Sequence, residues 1–145
     1  MSRGFTLIET IVYIALLGLL MAGVLGSVYQ LLEGGASLNT KTTVQDEGNF
    51  VLRKIDWALT GALTVFIPNA SELSITKYDG TTVDIQLSAG AVLMQANGTA
   101  LLPITTGNVV VSNVQFQLIG SNPLGVIATT TINGIDFVTK KYIRK

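Results

Sequence analysis

Hydrophobic positions divide the chain into stretches of different period. From Thr10 to Leu32 there are 23 residues without a charge. A helix needs about 20 apolar residues to cross a bilayer core, so this run is long enough to span one. From Val44 to Ala62 the apolar residues fall three and four apart. Val44, Gly48, Val51, Leu52, Ile55, Leu59 and Ala62 share one stripe, and Asp46, Asn49, Arg53, Asp56 and Thr60 lie opposite. That spacing predicts a helix with one face covered, ending near Leu63 ahead of Pro68. Between the two stretches, Gly34-Gly35 predicts a kink or break where the chain leaves the membrane.

From Leu73 the period becomes two. Leu73, Ile75 and Lys77 alternate with polar residues, "YDGT" turns, and Val83, Ile85 and Leu87 alternate again. Apolar residues must share a face. That condition favours a three-residue loop, Asp79 to Thr81, with Ile75 opposite Ile85 and Leu73 opposite Leu87. A two-residue loop would set Ile75 against Asp84. Asn97-Gly98 and Asn133-Gly134 each separate apolar runs and predict tight hairpins. Val114, Phe116 and Leu118 alternate with Gln115 and Gln117 as a half-buried strand. The expected fold class is α+β: a long N-terminal helix, membrane-spanning in its first half, packed against a C-terminal antiparallel β-sheet head.

Composition narrows the chemistry. Charged residues make up 12% of the chain and the formal net charge is zero, which argues against a nucleic-acid binder driven by bulk charge. The chain has no Cys and no His, so disulfides, thiol chemistry and the commonest metal ligand are missing. The nine carboxylates are scattered, with only Asp46-Glu47 adjacent. No metal site, cofactor site or acid/base pair is written in the sequence, and an enzyme is not expected.

Charge also orients the apolar run. Arg3 and the starting amine flank its N-terminal side, and Glu33 is the first charge after Glu9. The asymmetry predicts a cytoplasmic N-terminus with the rest of the chain outside. The bland alternative is a cleaved signal peptide, with "YIALLGLLMAGVLG" as its apolar core and Val24 and Gly26 before Ser27 as a small-residue cleavage site. Glu9 separates the two. A carboxylate at the edge of an apolar segment costs a few kcal/mol on insertion scales, and a signal peptide gains nothing from it.

The stretch "RGFTLIE", Arg3 to Glu9, resembles the processing motif of type IV prepilins and type II secretion pseudopilins. The resemblance implies cleavage between Gly4 and Phe5 by a prepilin peptidase, which also methylates the new amine on Phe5. Arg3 matches the leader's basic residue, and Glu9 the glutamate that pairs with a neighbour's terminal amine during assembly. The chemistry suits those roles. Gly4 lets an extended backbone pass close to the peptidase, and a buried charge is tolerated when paired. Glu9 then acts as a register mark. On this reading residues 1–4 are a leader, 5–33 the membrane and filament-core half of the helix, 34–64 its amphipathic half, and 65–145 the head. The leader is very short for the family, which leaves open a start further upstream. The implied partners are the peptidase, other pilin or pseudopilin subunits, an inner-membrane assembly platform, and lipid before assembly. The implied location is the inner membrane as a single-span protein, then a pilus or pseudopilus.

Further features follow the same resemblance. Gly18, Ala22 and Gly26 lie four apart on one face, a spacing that lets helices approach closely in an apolar medium. Phe50 and Trp57, seven apart, point away from the apolar stripe. They mark a contact with a neighbouring subunit or are covered by a loop of the head. "LLPITTGNVVVSNVQFQL", Leu101 to Leu118, and "NFVLRKIDWALTGA" resemble minor pilins and the larger minor pseudopilins. The missing Cys pair and calcium-loop spacing tilt the same way, with Asp79 and Asp84 read as turn and strand-surface residues. The tail places Lys140, Lys141, Arg144 and Lys145 together, a small footprint for DNA. "NAS" at Asn69 and "NGT" at Asn97 are sequon-type triplets, and Asn97 is better explained by its turn. The rival reading is a membrane-anchored or secreted β-rich surface or adhesion domain.

Overall fold

The computed structural model of the chain describes residues 6–143, without the side chains of Ala36 and Ser37. It falls into two compact units, Met1–Lys41 and Thr42–Lys145. One helix, α1 (Leu7–Leu59), supplies the first unit and the opening of the second. In the first unit its apolar side chains are exposed. Leu16, Leu19, Leu20, Leu25 and Leu31 have no protein cover, and by length and composition the helix can cross a membrane.

Helical structure runs without interruption through Gly34-Gly35, so the helix does not break there. Glycine lowers helix propensity by about 1 kcal/mol relative to alanine but keeps its N–H. Unlike proline, it removes no rung of the i→i−4 ladder.

The helix ends at Leu59 rather than near Leu63. Thr60 N–H donates to the carbonyls of Asp56 (3.0 Å) and Trp57 (3.2 Å), and Thr60 Oγ1 donates to Asp56 O at 2.7 Å. Gly61 then turns into the left-handed region with φ of 73°, a conformation that glycine adopts without penalty at a helix C-terminus. Strand β1 (Ala62–Asn69) starts at once. Ala62 is buried as its place on the stripe suggested, but as a strand residue.

The head holds two antiparallel sheets where one was expected. The first has five strands in sequence order: β1, β2 (Glu72–Lys77), β3 (Thr82–Ser88), β4 (Ala91–Ala96) and β5 (Leu102–Pro103). The second has three: β6 (Val111–Ile119), β7 (Gly125–Ile132) and β8 (Ile135–Tyr142). Hydrogen bonds from Val111 N to Gly90 O and from Phe116 N to Ala70 O, both 2.8 Å, stitch them together. One core joins them to the helix. Val44, Val51, Ile55, Ala58 and Leu59 meet Leu73, Ile75, Val83, Ile85 and Val92 from the first sheet. The second sheet contributes Val111, Val114, Phe116, Val126, Ile132 and Phe137. Burial of each larger aliphatic side chain stabilises the head by about 1.5–3 kcal/mol. Gly48 belongs to the same stripe because the Phe137 ring packs against its Cα, where a Cβ would collide with the ring.

The β2–β3 register is shifted from the expected one. Leu73 faces Ile85, Ile75 faces Val83 and Thr76 faces Thr82. The loop has three residues, but they are Tyr78, Asp79 and Gly80. A three-residue hairpin loop places its left-handed residue third, and Gly80, with φ of 83°, is the residue suited to it. Asp79 Oδ1 accepts the Thr81 N–H at 2.9 Å and braces the turn.

Of the two Asn-Gly turns, Asn133-Gly134 is the expected two-residue hairpin, with Ile132 facing Ile135. Around Asn97-Gly98 the strands pair as Met94 with Leu102, leaving a longer connection and a two-residue β5. Both turns share a clasp. Asn97 donates its N–H to Thr82 O (2.8 Å) and accepts the Thr82 N–H on Oδ1 (3.0 Å). Asn133 does the same with Val110, at 3.0 and 2.8 Å.

Candidate functional site

The first turn of α1 carries the motif's carboxylate. Thr6 precedes the helix, and its Oγ1 accepts the Glu9 N–H at 3.3 Å. This is half of a capping box, in which Ser or Thr before a helix satisfies the N–H three residues on. "TLIE" fits that signature, so Thr6 had a legible local role beyond its match to the motif. Glu9 lies in the first turn, where the helix dipole favours a negative charge. Glu9 is partly covered as a residue, and its carboxylate accepts a long, exposed hydrogen bond, 3.4 Å, from the Tyr13 hydroxyl one turn on. A carboxylate has about four acceptor positions, so this contact leaves capacity for a cationic partner. Arg3, Gly4 and Phe5 lie outside the described residues.

Gly18, Ala22 and Gly26 fall on an exposed part of the helix. A Cβ at Gly18 or Gly26 would meet nothing within 4 Å. The stripe is therefore open to another helix. Gly23 O accepts a hydrogen bond from Ser27 Oγ at 2.9 Å, which adds a polar rung to the same segment.

In the head, Phe50 and Trp57 stay exposed, at 38% and 48%. Within the chain, the group that sits on Trp57 is a lysine side chain. Lys77 from β2 extends over its ring, with Nζ 3.8 Å from the centroid, and donates to the Trp57 carbonyl at 3.1 Å. Lys54 approaches both rings, 5.4 Å from Phe50 and 6.0 Å from Trp57. Cations over aromatic faces contribute about 0.5–1 kcal/mol at exposed sites. Lys77 also meets a helix C-terminal carbonyl, where positive charge is favoured. Nothing in the local sequence signals a lysine twenty residues away, since the contact comes from strand pairing. Beside Phe50 a groove of about 430 Å³ runs along Met94, Leu102 and Ile104.

The basic tail does not form one patch among the described residues. Lys141 pairs with Asp56 on the helix at 2.7 Å, while Lys140 lies 4.9 Å from the Tyr142 ring. Successive strand residues point to opposite faces, which separates the two amines. Arg144 and Lys145 lie outside the described residues. Asp79 and Asp84 act as turn and strand-surface groups. Asp84 accepts from Ser74 Oγ (2.6 Å) and Gln95 Nε2 (2.7 Å) across three strands. Asn69 Oδ1 accepts the Ser71 N–H at 3.0 Å in its own turn.

Residues 1–25 match the family model of the prokaryotic N-terminal methylation motif. The match covers Arg3 to Glu9 and the start of the apolar helix. It supports a type IV pilin-like chain of the kind processed by prepilin peptidase. The long helix against antiparallel sheets is the matching α+β architecture. No curated protein and no solved structure matches the chain.

Proposed function

We propose that the chain is a structural subunit of a type IV pilus, a type II secretion pseudopilus or a related filament. The observation that carries this reading is the methylation motif of residues 1–25 set on an exposed apolar helix with Glu9 in its first turn. The chain enters the membrane as a single span, is cut after Gly4, and is methylated on the amine of Phe5. On assembly the apolar helices exchange lipid for one another. Glu9 then meets the terminal amine of a neighbour, which fixes the axial register because a charge in an apolar setting is stable only when paired. Gly18, Ala22 and Gly26 supply the close-packing face. The assembly platform delivers the chain, and the head determines its neighbours. The finer expectation of a minor subunit rests on the likeness of Leu101 to Leu118 and of "NFVLRKIDWALTGA", with the missing Cys pair and calcium-loop spacing tilting the same way.

Intact mass and N-terminal sequencing of the chain from its native membrane and shed filaments test the reading. The expected product begins at Phe5 and carries one extra methyl group. A chain retaining Met1, or beginning near Ser27, would instead make this an ordinary anchored or secreted β-rich domain.

A further inference from the structure

Two asparagines head an Asn-X-Ser/Thr triplet, Asn69 in Asn69-Ala70-Ser71 and Asn97 in Asn97-Gly98-Thr99. Such a triplet is an acceptor for sugar on an exported chain, and its third residue matters because the hydroxyl can reach the asparagine amide. The two turns treat that hydroxyl differently. Ala70 and Ser71 form the turn between β1 and β2, where Asn69 faces Glu72. Asn69 Oδ1 accepts both the Ser71 N–H at 3.0 Å and the Ser71 hydroxyl at 2.9 Å, an asparagine turn closed by its own side chain. Nδ2 carries two hydrogens and donates one to Glu72 Oε2 at 2.9 Å. Asn69 and Ala70 are exposed. The turn is held in shape from below, since Ala70 O accepts the Phe116 N–H at 2.8 Å and Ser71 O accepts the Leu87 N–H at 3.3 Å. Asn97 is the opposite case. Its Oδ1 is taken by the Thr82 N–H at 3.0 Å, and Thr99 Oγ1 accepts the Ala96 N–H at 3.4 Å instead of meeting the asparagine amide.

We infer that Asn69 of the folded head is an N-glycosylation acceptor and that Asn97 is not. The second substrate is an oligosaccharide carried on a lipid pyrophosphate. Nδ2 of Asn69 forms a bond to C1 of the first sugar, and the bond from C1 to the pyrophosphate oxygen breaks. The lipid pyrophosphate leaves with that electron pair, and one Nδ2 proton passes to a base of the transferase. The two donors on Oδ1 draw electron density towards the oxygen, which makes an amide proton easier to remove. The hydrogen that stays on Nδ2 keeps the bond to Glu72, so the turn outlasts the transfer. An attached glycan is bulky and belongs on the surface, and an exposed two-residue turn at the end of a hairpin gives it room. Transfer needs only a head outside the membrane, which goes beyond the filament reading and does not depend on it.

The test uses the full chain recovered from its native membrane. Cleavage after Lys54 and Lys77 places Asn69 in a peptide without Asn97. Tandem mass spectrometry should find hexose or N-acetylhexosamine residues on Asn69 and none on Asn97. Ser71→Ala should lower occupancy at least tenfold, and Ser71→Thr, which keeps the hydroxyl, should preserve it. Asn69→Gln, with Ser71 in place, should abolish the added mass. A bare Asn69 overturns the inference. Sugar on Asn97 as well would show transfer to an unfolded chain and overturn it too, because the two turns would then make no difference. The first residue of the same material separates the two readings. A chain beginning at Phe5 with a bare Asn69 sinks this inference alone, whereas a chain that keeps Met1 and carries sugar only on Asn69 removes the filament reading and leaves this one standing.

Discussion

Gly48→Ala is a test of how the helix meets the second sheet. On an exposed helix this change stabilises by about 1 kcal/mol, through propensity alone. Here the added Cβ falls on the ring atoms Cε1, Cζ and Cδ1 of Phe137, closer than real carbons approach. Phe137 is itself part of the core, so its ring has little room to withdraw. Overpacking of this kind costs about 1–3 kcal/mol. Overlap with three ring atoms argues for the upper end, about 3, which leaves a net loss of about 2 kcal/mol. For a domain of this size about 1 kcal/mol moves the melting temperature by 4–8 °C, so the expected fall is roughly 8–16 °C. The assay is thermal unfolding of the full chain in detergent, followed by near-ultraviolet circular dichroism. A double-mutant cycle with Phe137→Leu locates the cause. In that background Gly48→Ala should be neutral or stabilising, a coupling of at least about 2 kcal/mol. A higher melting temperature for Gly48→Ala alone would refute the packing argument and leave propensity as the whole effect.

Four other outcomes are expected. Thr130→Val should raise stability by about 1 kcal/mol in a denaturant titration, because Thr130 Oγ1 is buried with no hydrogen-bond partner and such groups cost about 1–3 kcal/mol; a loss would mean the hydroxyl is satisfied. Ala89→Asn should stabilise the β3–β4 hairpin by about 0.5–1 kcal/mol, since Ala89 holds a φ of 50° that asparagine tolerates better; an unchanged midpoint counts against it. Trp57→Ala should lower head stability by less than about 2 kcal/mol, below the 3–5 of a buried aromatic, as half of the side chain is exposed; a larger drop in the melting temperature would show it to be a core residue. The Thr81 N–H, then the Thr81 side chain, hold the Asp79 carboxyl below its ordinary value. The turn's contribution is then present above the ordinary carboxylate pKa of about 3.9 and lost as pH falls through the lowered one. An NMR titration midpoint at or above the ordinary value would refute that assignment.

The helical stripe was legible because a covered helix must present apolar residues three and four apart, and Val44, Val51, Ile55 and Leu59 are buried together. The strand alternation was legible for the same reason at period two. The end of the helix was not. Leu63 prolongs an apolar run, and the stop is written in Thr60-Gly61, a C-terminal capping pair that the periodicity overrode. The β2–β3 register slipped because face-sharing fixes only parity, while the left-handed Gly80 fixes the loop. The Ala89-Gly90 turn joining β3 and β4 escaped notice because alanine is a poor left-handed residue. The way the two sheets join depends on long-range hydrogen bonds such as Phe116 to Ala70, which no local pattern records. At the candidate site, Glu9 stands out in the sequence through its cost in an apolar run, whereas the lysine over Trp57 required knowledge of which strands pair.

The paired clasps at Asn97 and Asn133 bear on chemical ageing. Asparagine followed by glycine is the sequence most prone to lose its side-chain amide, as the glycine nitrogen attacks the side-chain carbonyl and an isoaspartate can form. Here each side-chain carbonyl is held by a backbone N–H at the start of a neighbouring strand, that of Thr82 in β3 or that of Val110 just before β6, and so is turned towards that strand. The attack needs both clasp bonds to open. The head thus keeps its two most perishable residues intact for as long as its sheets stay closed.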